Sequence, residues 1–457
     1  MTSEMPPFAG AADADLEGAL EWFLGFLSVD DWKARVAAVE ENVERGLSSV
    51  ASSFGAEGGD SVYTGPDRIG WYLYLVDAVQ HHPLRYEPIQ GARIVPIFKR
   101  LGADLDLLRS IGGVEDRVGR LLDSGRGQPD GGLFEFLIAL VWKRSGYATV
   151  EFIPETPHRK TPDFLARSGR EEWFVECKRL QKRSEYSERE REKWLAMWSP
   201  FAQHLVRNGH SLLFDITFHV ELATLADDYL MEHLAGKLHL LSLPCRIVSN
   251  DTWDVTAKPV DYVRARAHLQ RYFVRFPSDQ LRELVAGCRN PRRDFSFVAK
   301  GDLVRFGGAS GNNRFLEDLS FAAGSFWSSD APQAIRHKAR DVRRQLVRAV
   351  EQFPSDARCA VHVGLETWDG PLVEEERLGR IVRSVLDFDA LGKDLRWVYC
   401  HFFESYAPPD QTWVVDETVL RFGPELLGRD EPICFRAALL PETDTFSEGL
   451  HWRRAPP

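Results

Sequence analysis

Residues Pro162 to Lys178 read PDFLARSGREEWFVECK, and they set two charges where the neighbouring pattern asks for none. The stretch reads as a hairpin, with strands at Asp163–Arg167 and Glu172–Leu180 and a turn at Ser168 and Gly169. Side chains on a strand alternate between faces, so Phe174, Glu176 and Lys178 share one face while Trp173, Val175 and Cys177 take the other. Apolar neighbours of this kind place a strand in a core, where a charge is costly unless it is paired or bound to metal. A metal site at the sheet edge resolves the conflict. Asp163 opens the adjacent strand, and its carboxylate can meet that of Glu176 around a divalent cation. Carboxylates and a backbone carbonyl, such as that of Cys177, suit hard ions like Mg2+ or Mn2+. Lys178 on the same face would hold or deprotonate an attacking water and offset phosphate charge. Glu135, at the margin of the apolar stripe Leu133, Leu137, Ile138 and Val141 on the preceding helix, is within reach of the same ion.

The elements around this hairpin follow from periodicity. Residues 15–125 read as helical, with Leu16, Leu20, Phe23, Leu24 and Leu27 at helical spacing and again Leu101, Leu105, Leu108 and Ile111. Ser52–Gly59 reads as a loop and Ser124–Gly132 as a linker. A helix over 132–145 stops at Ser145 and Gly146, and a strand over Tyr147–Pro154 precedes the hairpin. A charged helix at 185–208 and a strand at 211–220 follow. Beyond a less regular region with strands over Phe295–Phe306 come a helix at 333–353, a strand at 358–367, a helix at 373–387 and a strand at 394–404. A last strand pair is expected at 412–422 and 432–440.

A glutamate on a helix, then Pro162–Asp163, then Glu176-Cys177-Lys178 after a short hairpin is an order that resembles the PD-(D/E)xK nuclease superfamily. The resemblance covers residues 131–220, with 333–367 as a further part. It implies an α/β fold with a restriction-endonuclease-like mixed sheet flanked by helices, a helical N-terminal accessory domain and additional α+β elements. The corresponding domains are 1–125 (helical accessory), 126–220 (nuclease-like core), 221–330 (insertion or accessory α+β) and 331–457 (α/β, completing the core sheet if 185–220 does not). Within the resemblance Glu135, Asp163 and Glu176 match the metal-binding acids and Lys178 the catalytic lysine. The activity implied is Mg2+- or Mn2+-dependent hydrolysis of phosphodiester bonds, with DNA as the expected substrate and defence against foreign DNA or repair as the expected role. The alternative is a protein that keeps the fold without turnover and binds nucleic acid or another protein.

Order and context carry this resemblance, because its parts are common. Pro-Asp recurs at 66–67, 129–130 and 409–410, and an acid-x-Lys triplet at Asp31-Trp32-Lys33. Taken singly, Glu176 and Lys178 can be an edge-strand charge pair, Asp163 a turn former and Glu135 a solvated helix residue. Two segments are basic. Lys178–Lys193 sets seven Lys/Arg against four Glu and reads as a solvated helix laced with i,i+4 pairs. On the helix at 335–353, Ile335, Ala339, Val342, Leu346, Val350 and Phe353 form a buried stripe. Arg336, Arg340, Arg343, Arg344 and Arg348 form an opposite row that suits phosphates. Gln352 has no role derivable from the sequence, although superfamily members place Gln or Arg near this point. His362, Glu366 and His401 read as core or surface residues.

Net charge of −11 argues against coating nucleic acid with a global positive field and leaves a local basic surface open. No apolar run spans a membrane, and the acidic start lacks the features of a signal peptide, so a cytoplasmic location is expected. Six scattered cysteines without a CxxC pair read as buried packing thiols rather than zinc ligands or disulfides. Gly307–Gly311 (GGASG) lacks the lysine of a phosphate-binding loop. A homodimer or a partner protein is an open expectation, with no coiled-coil seam to show one.

Overall fold

The computed structural model describes residues 13–49, 62–154, 160–180, 183–240, 244–288, 290, 292–307, 313–408, 413–423, 431–441 and 449–454. The first twelve residues of the acidic start, the Ser52–Gly59 loop and most of the glycine-rich run after Gly307 lie outside these residues; the rest of that start is not a tail, because Asp13 caps a helix that opens at Ala14. Two mixed sheets organise the chain. The strands are β1 (Thr149–Phe152), β2 (Phe164–Ser168), β3 (Glu171–Leu180), β4 (Leu212–Phe218), β5 (Cys245–Ser249), β6 (Trp253–Pro259), β7 (Val274–Arg275), β8 (Asp294–Val304), β9 (Phe315–Ser329), β10 (Arg358–Glu366), β11 (Asp394–Tyr406) and β12 (Val414–Phe422).

The first sheet runs β1-β2-β3-β10-β11-β12. β1, β2 and β3 form the antiparallel meander read from the sequence, with Gly169 at φ +59 in the turn where only glycine is unstrained. β3 then pairs in parallel with β10, and β10 in parallel with β11. Of the two placements left open by the sequence, the sheet therefore continues through the later strand at 358–366. β4 goes elsewhere. It lies in the second sheet, ordered β5-β6-β4-β9-β7 with β8 paired to β9, so the 185–220 segment does not extend the hairpin's sheet.

Alternation on the first sheet explains its layers. Trp173, Val175, Cys177, Trp397, Tyr399 and Phe403 pack with the Pro129–Arg144 helix and the helices before it. Val361, Val363, Val398, Cys400 and Phe402 pack on the other face with Val342, Leu346, Val350 and Phe353. Leu16, Phe23, Trp71, Tyr72 and Phe98 share one continuous core with that sheet, and Gly112 bridges to the edge of β1 through Gly112 N to Val150 O at 2.9 Å. The second sheet is covered by the Glu185–Asn208 helix through Trp194, Met197, Trp198 and Phe201. That helix begins where the Ser184 hydroxyl accepts from Ser187 N at 3.0 Å and ends at Gly209, φ +68.

Several expectations need correction. The linker ends early: a helix starts at Pro129, where proline's missing N–H costs nothing. The single basic helix is two, Pro332–Lys338 and Arg343–Val350. The Arg380 guanidinium takes the carbonyls of Arg336 (2.6 Å) and Ala339 (2.8 Å), and the Asp341 carboxylate accepts from Arg343 N at 3.2 Å, which ends one helix and starts the next. Among the described residues 431–440 no strand forms, and β12 pairs with β11 alone. The cysteines are all free thiols. Cys177, Cys359 and Cys400 are buried as expected, while Cys288 and Cys434 are exposed.

His362 and His401 are core residues, fully buried and linked in a chain. Trp142 Nε1 donates to His362 Nε2 at 3.1 Å, His362 Nδ1 lies 3.0 Å from His401 Nε2, and His401 Nδ1 lies 3.0 Å from Glu417 Oε1. An indole N–H can only donate, so His362 carries its hydrogen on Nδ1 and passes the same polarity to His401.

Candidate functional site

The four residues of the motif gather at one end of the first sheet. β2 runs antiparallel to β3, so Asp163, just ahead of β2, lies across from the C-terminal part of β3. There its Oδ2 accepts a hydrogen bond from Cys177 N at 2.6 Å, while Asp163 N donates to Val175 O at 3.1 Å. Asp163 is thus fixed by backbone on both sides. Glu176 and Lys178 share the opposite face from Cys177, as alternation requires. The Lys178 ammonium pairs with Glu176 Oε1, and the Gln352 amide donates to the same oxygen.

Glu176 is 1 % exposed, and its Oε2 is buried with no hydrogen-bond partner. An orphaned carboxylate oxygen is expensive. Burial pushes the Glu176 carboxyl up; the nearby Asp163 charge adds to the rise, Lys178 opposes it, and Glu135 adds to it again. Burial likewise drives the Cys177 thiol well above its ordinary value, with Asp163 and Glu135 adding, so that sulfur stays protonated and is not a nucleophile.

Glu135 is held by Arg117, whose Nη1 lies 3.0 Å from Glu135 Oε2 while Nη2 donates to the carbonyls of Ile153 and Asp163, each at 3.2 Å. Arg117 had no signal in the sequence; it ties the glutamate's helix to the start of β2. Lys160 went unread, and Gln352, singled out in the sequence without a role, acquires one. Gln352 follows the Arg343–Val350 helix, which packs on β3, and so the chain's later half supplies a partner to Glu176. Lys160 reaches Glu351 Oε2 at 2.6 Å and pins the approach to Asp163 beside Gln352. Only contact in three dimensions reveals either.

Oxygen donors with one orphaned, buried carboxylate oxygen, mutually repelling carboxylates and a neighbouring lysine fit a hard divalent cation by their chemistry. Glu135, Asp163 and Glu176 are nevertheless engaged by Arg117, Cys177 N, Lys178 and Gln352. Among the described residues no three histidine, cysteine or carboxylate side chains are close enough to hold an ion as they stand. The basic row is only partly a surface: Arg336, Arg343, Arg344 and Arg348 are exposed, whereas Arg340 is half-buried with Nη1 3.4 Å from Arg183 O. The Lys178–Lys193 segment is partly neutralised within the chain, through Arg183–Asp294 and Lys193–Asp227. No described helix is long and apolar enough to cross a membrane. Comparison with family models, with curated proteins and with solved structures found no match to this chain.

Proposed function

We propose that the chain is a metal-dependent nuclease with a restriction-endonuclease-like core, acting on DNA through Glu135, Asp163, Glu176 and Lys178. The observation that carries this reading is Glu176: a buried carboxylate with a free oxygen, set between Asp163 and Lys178. A carboxylate placed so gains nothing for stability and is poised to receive a cation. Bound Mg2+ or Mn2+ would supply Lewis acidity and charge compensation at the scissile phosphate. The protein's own part is positional. Asp163 is locked by Cys177 N, and Arg117 holds Glu135 in reserve at the same sheet end. Gln352 and Lys178 share Glu176 Oε1 and leave Oε2 open. Lys178, released toward a phosphate, stabilises developing negative charge with its ammonium group. The exposed Arg343, Arg344 and Arg348, on the helix leading to Gln352, supply phosphate contacts. Defence against foreign DNA and repair are roles that suit such an activity.

The saturation of Glu135 by Arg117 favours a second reading, a nuclease-fold protein that binds nucleic acid or protein without turnover. One experiment separates them. Supercoiled plasmid, linear duplex, single-stranded DNA and RNA are incubated with the protein in Mg2+, Mn2+ or EDTA, beside Asp163→Ala and Lys178→Ala variants checked for folding by thermal melting. Cutting that needs metal and disappears in both variants supports the nuclease. Absence of Mn2+ binding by the wild type, measured calorimetrically, removes it.

A further inference from the structure

The Arg343–Val350 helix runs out into Glu351 and Gln352, which reach to different partners. Gln352 donates to Glu176 Oε1, and Glu351 Oε2 lies 2.6 Å from the Lys160 ammonium. Lys160 stands just ahead of the Pro162–Asp163 step. One helix end thus touches both the carboxylate on β3 and the chain that leads into β2. On its inner side Leu346, Ala349, Val350 and Phe353 are buried in the core. On its outer side Arg343, Arg344, Arg348 and Glu351 are exposed. Arg344 and Arg348 stand about 6 Å apart along the axis, one turn from each other, and Glu351 follows in the next turn.

Glu351 is the one acid in this basic row, and stability does not account for it. A carboxylate at a helix C-terminus meets the negative end of the helix dipole. Its pair with Lys160 is open to solvent, the lysine side chain 65 % and the glutamate 47 % exposed, and exposed pairs contribute little to folding. What the pair achieves is occupancy. The Lys160 ammonium, with the Arg348 charge adding, holds the Glu351 carboxyl below the usual carboxylate range. Glu351 is therefore an anion at neutral pH, and it covers a lysine at the rim of the acid site. Its oxygen sits on that lysine where the oxygen of a phosphate would sit.

We propose that Lys160 binds a backbone phosphate of a nucleic-acid strand, and that Glu351 holds this place until the strand displaces it. The inference rests on the nuclease reading, which supplies the strand. Arg344, Arg348 and Lys160 form a row that leads along the helix toward Glu176, so a backbone that follows the row is delivered to the acids. The exchange is one anion for another. The phosphate takes Lys160, and the Glu351 carboxylate turns into the solvent it already half faces. Part of the strand's binding energy is spent on unmasking the lysine, so the free protein holds nucleic acid less tightly than its arginine row alone would allow.

The test is a double-mutant cycle on binding, read by fluorescence anisotropy in EDTA with labelled single-stranded and duplex oligonucleotides at several salt concentrations. The proteins are wild type, Glu351→Gln, Lys160→Ala and the double variant, each checked for folding by thermal melting. Glu351→Gln is expected to tighten binding about three-fold or more. Lys160→Ala is expected to weaken it and to lower the salt slope by about 1. In the Lys160→Ala background, Glu351→Gln should then change affinity by less than about 1.5-fold, because no lysine is left to unmask. Equal tightening in both backgrounds would mean that Glu351 acts only through the general field, and it overturns the inference, as does a Lys160→Ala protein that binds like wild type. Inorganic phosphate is the competing probe: Lys160-dependent phosphate binding with no such dependence for the strands would assign the place to a free anion and also overturns it. Plasmid cutting in Mg2+ scores the nuclease separately. Cutting without coupling between positions 160 and 351 keeps the nuclease and rejects the Lys160 site, whereas coupled binding in a protein that does not cut does the opposite. No binding of either oligonucleotide at about 100 μM protein, the weak end of non-specific affinity, rejects both.

Discussion

Gln352 donates its side-chain amide to Glu176 Oε1 although 176 residues separate the two in the chain. The contact joins the end of a late helix to the middle of the early hairpin. It also divides the labour of one carboxylate, with Oε1 shared by Gln352 and Lys178 and Oε2 left open. Gln352→Ala removes one of those anchors and frees the carboxylate to turn. The expected outcome is a ten-fold or greater loss of metal-dependent cutting with a stability cost of about 1–2 kcal/mol, the usual penalty for stripping a partner from a buried polar group. Initial rates on plasmid and a urea melt measure the two effects, and unchanged cutting would make the contact purely structural.

Arg117 is the joint between Glu135 and the start of β2. Arg117→Met keeps the length of the side chain but removes the cation beside Glu135 and the donor to the carbonyls of Ile153 and Asp163. The unfolding free energy is expected to fall by about 3 kcal/mol, as for other buried ion pairs that lose one member. Denaturation in urea checks the figure, and a change below about 0.5 kcal/mol would show the joint to be dispensable.

Glu87 caps the Pro88–Ala103 helix by accepting from Ile89 N at 3.0 Å and Gln90 N at 2.7 Å, and it is 1 % exposed. Burial raises its carboxyl from 4.5 to about 7, against the lowering effect of those two hydrogen bonds. The folded state therefore holds this proton more tightly than the unfolded chain. The stabilisation is complete below pH 4.5 and is lost as pH rises through 7, by up to about 3 kcal/mol. Comparing wild type with Glu87→Gln from pH 4 to 8 isolates the effect; parallel curves would mean that folding does not raise the Glu87 carboxyl.

The Trp142–His362–His401–Glu417 chain makes a spectroscopic prediction. Both rings should carry their single hydrogen on Nδ1. Burial holds His362 well below the ordinary histidine range, so its ring is expected to stay neutral as pH falls through that range. Nitrogen-15 correlation spectra of the histidine side chains distinguish the tautomers directly. A hydrogen on Nε2 of His362 would contradict the donor order deduced from the indole.

What the sequence made legible was local. The β1–β3 meander, the helix carrying Glu135 and the helix at 185–208 all announced themselves through periodicity and turn chemistry. So did the face shared by Glu176 and Lys178. Partnership across the chain was not legible. Nothing in the strand at 358–366 says that it lies beside β3 and that β4 does not, because both are short apolar strands and the choice is made by the packing of distant surfaces. The break between Lys338 and Arg343 was hidden for the same reason: it depends on Arg380, which contacts this segment only in the fold. Arg117 and Lys160 lie outside any motif, Gln352 had a resemblance but no derivable role, and the contribution of all three is geometric.

The parallel pairing of β3 with β10 also sets a schedule for synthesis. The acids are made early, yet the strand beside them and the amide that steadies Glu176 emerge only after the whole second sheet has been translated. Contacts this distant in sequence form slowly. A nascent chain stalled before residue 352 would carry the acidic hairpin without its finishing contacts, so this end of the sheet is completed late, when the chain doubles back on its own beginning.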